Sequence, residues 1–275
     1  LKVVKTAQNL LNLTLPQSSL TMTTSTLYSK EGVSVIVDGE SHVLTLTLDR
    51  GECRIHPESI QLLSEALEVV EKAPHPKALV ITGTGKFFCN GLDVEWMAKH
   101  ADSSSMIESF WRFLARLLVL DCHTVCALNG HAFGAGLFIA LSCDWRLMRT
   151  QQGFVCFPEL NLGMMLSVGF AELSKAKLSP AALRTGVLTG QRFNSAEALK
   201  FGLIDLECPL EELHSRACEL AASRLPTAMR LLNFNAKAFQ QMKIELYTDA
   251  YRALTTGRIG APPEAPIGSV PAARL

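Results

Sequence analysis

Three segments of this chain carry residue types that could do chemistry. In Phe154-Val-Cys-Phe-Pro-Glu159-Leu-Asn-Leu-Gly163 a single carboxylate, Glu159, stands among apolar neighbours. Burial disfavours a charged carboxylate and lifts its pKa toward the range where it can take up and return a proton. In isolation, Glu159 reads more simply as a surface group at a helix start after Pro158. Asn129-Gly-His-Ala-Phe-Gly-Ala-Gly136 leads into an apolar run. Small residues at a helix start let a ligand approach, and the free N–H groups there favour developing negative charge. Close packing of a helix on a sheet needs small residues too, so this segment alone leaves both readings open. The third segment, Thr82-Gly-Thr-Gly-Lys-Phe-Phe-Cys-Asn-Gly-Leu-Asp93, invites a nucleotide reading. A phosphate loop needs four residues between its glycines and Ser or Thr after the lysine, whereas Phe87 follows Lys86; the dinucleotide fingerprint fails at Phe88. A strand turning tightly into a loop fits better, with Gly91 free to adopt unusual backbone angles and aim the Leu92 amide inward.

The elements that must position these segments alternate between strand and helix. Val33–Val37 and Val43–Leu48 read as a hairpin around Asp38-Gly39. Pro57 opens a helix with Ile60, Leu63, Leu67 and Val70 on one face. Ala78–Thr82 is a short buried strand, and Ser105 with Glu108 predicts a capping box for a helix running to about Leu120. Thr124–Leu128 reads as a strand, Gly134–Ser142 as an all-apolar helix and Asp144–Arg149 as a strand. Two strands before the first helix argue for an α/β domain of stacked ββα-like turns. Past Gly163 the pattern is helical: Ser179-Pro180 caps one helix, Asn194 with Glu197 caps another, and Gly202 stops it. Helices near 210–224 and 227–256 are expected, split at Pro226. The chain therefore divides into a leader over 1–28, expected to be disordered, a core over 29–207, a helical region over 208–256 and a Pro- and Gly-containing tail over 257–275. The leader has lysines but no arginine, a poor match to a transit peptide, and Met22 is a candidate start; presequence and plain leader stay open for the first 21 residues.

Composition closes off several function classes. With 48% hydrophobic and 19% charged residues, the 275-residue chain can bury a large core, which excludes disorder over most of its length and leaves little polar surface for a lone monomer. Lys+Arg and Asp+Glu balance at 26 each, so there is no basic field for a nucleic-acid partner. Eight scattered cysteines form no secreted disulfide framework and point to a reducing compartment. Cys122-His123-x-x-Cys126 lacks a second pair at zinc spacing, so no metal is expected. Thr124–Cys143 is uncharged and long enough for a membrane span, but Asn129-Gly130-His131 and three glycines make a strand, a turn and a buried helix the better reading.

Taken together and in order, these segments resemble the crotonase superfamily, the enoyl-CoA hydratase/isomerase family. The resemblance rests on Lys-Phe-Phe-Cys-Asn-Gly-Leu-Asp (86–93), Asn-Gly-His-Ala-Phe-Gly-Ala-Gly (129–136), Ser-Cys-Asp-Trp-Arg (142–146), Phe-Pro-Glu-Leu-Asn-Leu-Gly (157–163) and the run Leu188–Asp205. It covers roughly residues 30–207. It implies an α/β fold, a crotonase-like spiral of ββα turns, with C-terminal helices mediating a trimer or dimer of trimers. By the same resemblance the amides of Leu92 and Ala135 form an oxyanion hole for a thioester oxygen, and Asn90, Gly91, Asp93, Val94, Gly134 and Phe138 contact the acyl-CoA substrate. Ala135 departs from the family's usual glycine, which costs little if only its amide is used. Family hydratases hold water with two carboxylates; the position of the first falls on Phe138 here and the second on Glu159. One carboxylate, with Phe138 helping to exclude water, suits a Δ3,Δ2-enoyl-CoA isomerase of fatty-acid oxidation. A hydratase, an acyl-CoA hydrolase and a non-catalytic acyl-CoA-binding member are the alternatives. No cofactor is implied, since coenzyme A belongs to the substrate. Arg54 and Lys86 are candidate phosphate contacts, with a solvated surface charge the preferred reading of each. Ala273-Arg274-Leu275 resembles the peroxisomal signal and implies an import receptor as partner, with mitochondrion and cytoplasm as alternative compartments.

Overall fold

In Val43-Leu-Thr-Leu-Thr-Leu48 the side chains alternate across the strand, so one face can be buried while the backbone pairs sideways. The computed structural model describes residues 24–230 and 235–259. There this strand, β3 (Val43–Leu48), pairs antiparallel with β2 (Val33–Asp38), and β1 (Thr24–Lys30) flanks β2 on the outside. Three strand pairs follow. β4 (Ala78–Gly83) leads to β5 (Phe87–Cys89), β6 (His123–Leu128) to β7 (His131–Phe133), and β8 (Trp145–Arg149) to β9 (Val155–Cys156). The first member of each pair joins the large sheet, ordered β1-β2-β3-β4-β6-β8-β10 with β10 at Leu206–Cys208; the second joins a small parallel sheet, β5-β7-β9. Each pair then hands over to helix: α2 (Val94–Lys99) and α3 (Ser103–Leu118), α4 (Ala135–Ser142), and a 3-10 turn (Leu160–Leu162) with α5 (Val168–Lys177). With α1 (Pro57–Lys72) between β3 and β4, this is the expected spiral of ββα turns.

Burial on both faces explains the unbroken apolar run of β4. Leu79 and Ile81 enter the main core beneath α1, α3 and α4, whereas Ala78 and Val80 meet Leu213, Ala217 and Ala221 of α8 (Leu210–Arg230) on the other face. α4 is apolar all round because every one of its residues is buried. The caps of α6 (Pro180–Thr189) and α7 (Ser195–Phe201) are those read from the sequence: Ser179 accepts from the Ala182 amide, Asn194 and Glu197 cap reciprocally, and Gly202 ends α7 in the left-handed conformation.

Three expectations are corrected. The leader does not extend to residue 28, because Thr24–Tyr28 already pairs with Val35–Asp38. This edge strand is polar and mostly exposed, so no apolar alternation announces it. Ser105 is not a helix cap: α3 starts at Ser103 after Asp102, and Glu108, one turn further in, accepts instead from the Ile259 amide at 3.2 Å. Pro226 does not split the C-terminal helices. α8 runs through it to Arg230, since a proline deletes one helical hydrogen bond without obliging the chain to leave the helix. The actual breaks precede α9 (Ala236–Leu246), where Asn235 accepts from the Ala238 amide, and fall at Tyr247 before α10 (Thr248–Thr256). The first 23 residues and the tail from residue 260, Ala273-Arg274-Leu275 included, lie outside the described residues. Among the described residues no helix is long and apolar enough to cross a membrane, and all eight cysteines are free.

Candidate active site

The three sequence segments converge because each follows a strand of the small sheet. The loop after β5 is pinned to residues 52–55: the Asn90 amide donates to Glu52 O at 2.8 Å, the Ile55 amide to Gly91 O and the Asp93 amide to Ile55 O, both at 2.9 Å. Gly91 sits at φ +90°, where a Cβ would lie 3.1 Å from Phe133 O. Only glycine adopts that turn cheaply, and the turn brings Leu92 beside the start of α4. Gly136, the second residue of α4, lets the helix approach β5 until a Cβ there would stand 2.5 Å from Cys89 O. Among the described residues no backbone bond takes up the amides of Leu92 or Ala135, as expected for Ala135 at a helix start.

Glu159 follows Pro158 and precedes the 3-10 turn. Its carbonyl accepts from Leu162 N at 3.1 Å and Met164 N at 2.8 Å, which fixes the backbone while the side chain makes no cap bond. A Cβ on Gly134 would be 3.9 Å from Glu159 Oε1, so the carboxylate lies against the loop that starts α4. Oε2 is buried without a hydrogen-bond partner. Burial pushes the carboxyl pKa up. The surface-cap reading of Glu159 is thereby excluded.

Between these groups lies a cavity of about 220 Å³. Its walls include Glu159, Leu92, Ala135, Asn90, Gly91, Val94, Gly134 and Phe138, eight of the nine residues singled out from the sequence. Asp93 is the exception. It is not in the wall, and its carboxylate caps α2 by accepting from the Trp96 amide at 2.9 Å. The sequence reading missed Phe133, Pro158, Leu162, Met164 and Phe170, which complete the wall with Arg54. Pro158, Leu162 and Met164 could have been found as neighbours of Glu159. Phe170 carries no local signal, since only the docking of α5 brings its ring face to face with Phe138, 4.1 Å away and 6° from parallel. Arg54 is not merely a solvated charge: Glu52 holds both its Nε (2.8 Å) and Asn90 Nδ2 (3.1 Å) at the cavity. Lys86 lies elsewhere, in a separate cavity of about 760 Å³ with Arg149 and His131.

A buried carboxylate with one open oxygen, facing two free amides across an apolar cavity, can move a proton beside a carbonyl whose oxygen turns negative. The fold is that of the crotonase type of enzyme, and the chain belongs to the enoyl-CoA hydratase/isomerase family, whose sequence pattern matches residues 38–259. It is 33% identical over 221 residues to the peroxisomal enoyl-CoA delta isomerase 2 of Arabidopsis thaliana, covering 77% of this chain and 90% of that one. Against the carnitinyl-CoA dehydratase of Proteus mirabilis it is 29% identical over 221 residues, 78% of this chain and 83% of that one. A probable enoyl-CoA hydratase from Mycobacterium tuberculosis superposes with a TM-score of 0.72 at 25% identity, covering 82% of this chain and 93% of that one. The human mitochondrial delta3-delta2-enoyl-CoA isomerase matches the fold with a TM-score of 0.72 at 23% identity, over 82% and 87% of the two chains.

Proposed function

We propose that the protein is a Δ3,Δ2-enoyl-CoA isomerase acting in fatty-acid β-oxidation. One observation carries this reading: among the described residues, Glu159 is the only carboxylate in the cavity wall, and Phe138, to which the family resemblance assigns the position of the hydratases' other carboxylate, lines the same cavity with an apolar ring. Glu159 takes the proton from C2 of a 3-enoyl-CoA. The electron pair moves toward the thioester oxygen, which accepts hydrogen bonds from the Leu92 and Ala135 amides, giving a dienolate. The same carboxyl then returns its proton at C4, leaving 2-trans-enoyl-CoA and an unchanged enzyme. No cofactor enters this cycle, and the buried rings of Phe138 and Phe170 keep the dienolate from water. We further propose the peroxisome as its compartment, in line with the names of two Arabidopsis relatives.

The similarity to carnitinyl-CoA dehydratase favours a second reading, addition or removal of water. A coupled spectrophotometric assay on 3-enoyl-CoA separates the two, run beside mass analysis of the product made in 18O-water. Isomerisation without label is expected, and Glu159→Gln should lower kcat by about 10²–10⁴-fold while the protein stays folded. Full activity in that variant would sink the mechanism, label in the product would select hydration, and binding without C2-proton exchange in D2O would mark a non-catalytic member.

A further inference from the structure

The cavity closes firmly on one side and opens on the other. Behind Phe138 and Phe170 stand Trp111, edge-on to Phe170 at 5.8 Å, and Phe157, 5.7 Å from Phe138, all four buried. A tail cannot pass this stack without displacing close-packed rings. The cavity holds about 220 Å³, below the roughly 300–1,000 Å³ of pockets that enclose a whole small ligand, so it houses a thioester and its first carbons only.

On the open side, Leu162 and Met164 belong to the cavity wall and are also exposed, at 55% and 38%. Met165, at 89%, continues on the same loop, Val168 is exposed at the first position of α5, and Val94 at the start of α2 is exposed as well as cavity-lining. No charged residue lies between Glu159 and Glu172. Single exposed apolar side chains are ordinary, but an uncharged group of them continuous with a cavity marks a binding surface. Methionines suit it, being flexible enough to follow an irregular chain.

We propose that this strip, from Leu162 and Met164 to Met165 and Val168, is the acyl-tail surface, and that it makes the protein selective for medium- and long-chain over short-chain acyl-CoA. This rests on the enoyl-CoA reading above. The aromatic stack turns the tail away from the core, and the loop covers its far methylenes.

The test uses the full chain. Hexanoyl-CoA and dodecanoyl-CoA, each below its micelle concentration, are titrated by calorimetry into the unsubstituted protein and a Met165→Ser, Val168→Ser double variant. The kcat/KM ratio on 3-dodecenoyl-CoA and 3-hexenoyl-CoA is measured in parallel. Six further methylenes laid on a half-covered surface should favour the longer chain by about tenfold or more, and the variant should shrink that ratio at least about fivefold. Equal affinity for the two chain lengths would overturn the proposal. So would a variant that weakens both equally, the result expected if the strip were instead a contact between copies, which sedimentation of the variant would reveal. Failure to bind either acyl-CoA would defeat the enoyl-CoA reading itself.

Discussion

Glu159 is a residue kept in an environment that opposes its charge. It is half-buried as a whole, yet its Oε2 is buried and unpartnered, and its pKa is raised by that burial. A folded-state value above the unfolded one means that folding favours the neutral acid. The stabilising contribution is complete below the unfolded pKa and is lost as pH rises through the folded value. Above that window the burial of the Glu159 carboxyl therefore costs stability. Glu159→Gln should accordingly melt at a higher temperature than the parent at neutral pH, and the gap should close in acid below the ordinary carboxylate range. Thermal melts across that range check it, and a variant less stable at neutral pH would contradict it. The acid limb of kcat/KM should likewise lie above the usual carboxylate range, since the base must be ionised to act. The sequence showed the residue and its apolar neighbours. It could not show the missing hydrogen-bond partner, which depends on how the 3-10 turn packs against Gly134.

At the scale of elements, the site depends on how closely α4 lies against β5. Gly136 permits that approach, because a methyl group there would meet Cys89 O at 2.5 Å and Cys89 Cβ at 2.9 Å. Backbone cannot yield as a side-chain end can. Gly136→Ala should separate α4 from the Asn90–Leu92 loop, moving the two amides apart, and should destabilise the fold by about 1–3 kcal/mol. Its kcat should fall by roughly 10²–10³-fold, as when one oxyanion donor is lost elsewhere. Chemical denaturation and steady-state kinetics measure the two effects; a stable, fully active variant would show that the donors do not depend on this contact. Elements with a strong internal pattern were legible beforehand, such as the β2–β3 hairpin, α1 with its proline start, and α7 between Asn194 and Gly202. Elements defined by their neighbours were not. β1 pairs through a polar edge, α3 begins among three serines with equal claims to the cap, and Phe170 enters the cavity because α10 and α4 hold α5 in place.

Over the whole molecule, the C-terminal helices are fastened to the spiral by buried charge. Lys243 of α9 reaches Asp144 Oδ2 at 2.8 Å and Cys122 O at 2.9 Å, while Asp144 Oδ2 also accepts from the Thr124 amide. Lys177, at the end of α5, donates to Tyr247 Oη at 3.2 Å and lies over that ring at 4.4 Å. Its pKa is lowered to about 8 by burial first; Asp144, the next largest influence, pulls it back up, while Arg146 and then Lys243 lower it further. A lysine whose folded value lies below its unfolded value binds its proton more readily when unfolded. Between about pH 8 and 10.5 the unfolded chain therefore carries the extra proton, and the contribution of Lys177 to stability rises with pH across that window. Below pH 8 the penalty is constant and at its largest, roughly 1–3 kcal/mol once partial exposure is allowed for. Lys177→Met, which keeps the stem and removes the charge, should thus be more stable than the parent near neutrality and lose that advantage as pH climbs toward 10.5. The difference between the two melting curves isolates this lysine from every other group titrating there. A difference that stays flat with pH would mean that the Tyr247 ring and hydroxyl compensate the buried ammonium fully.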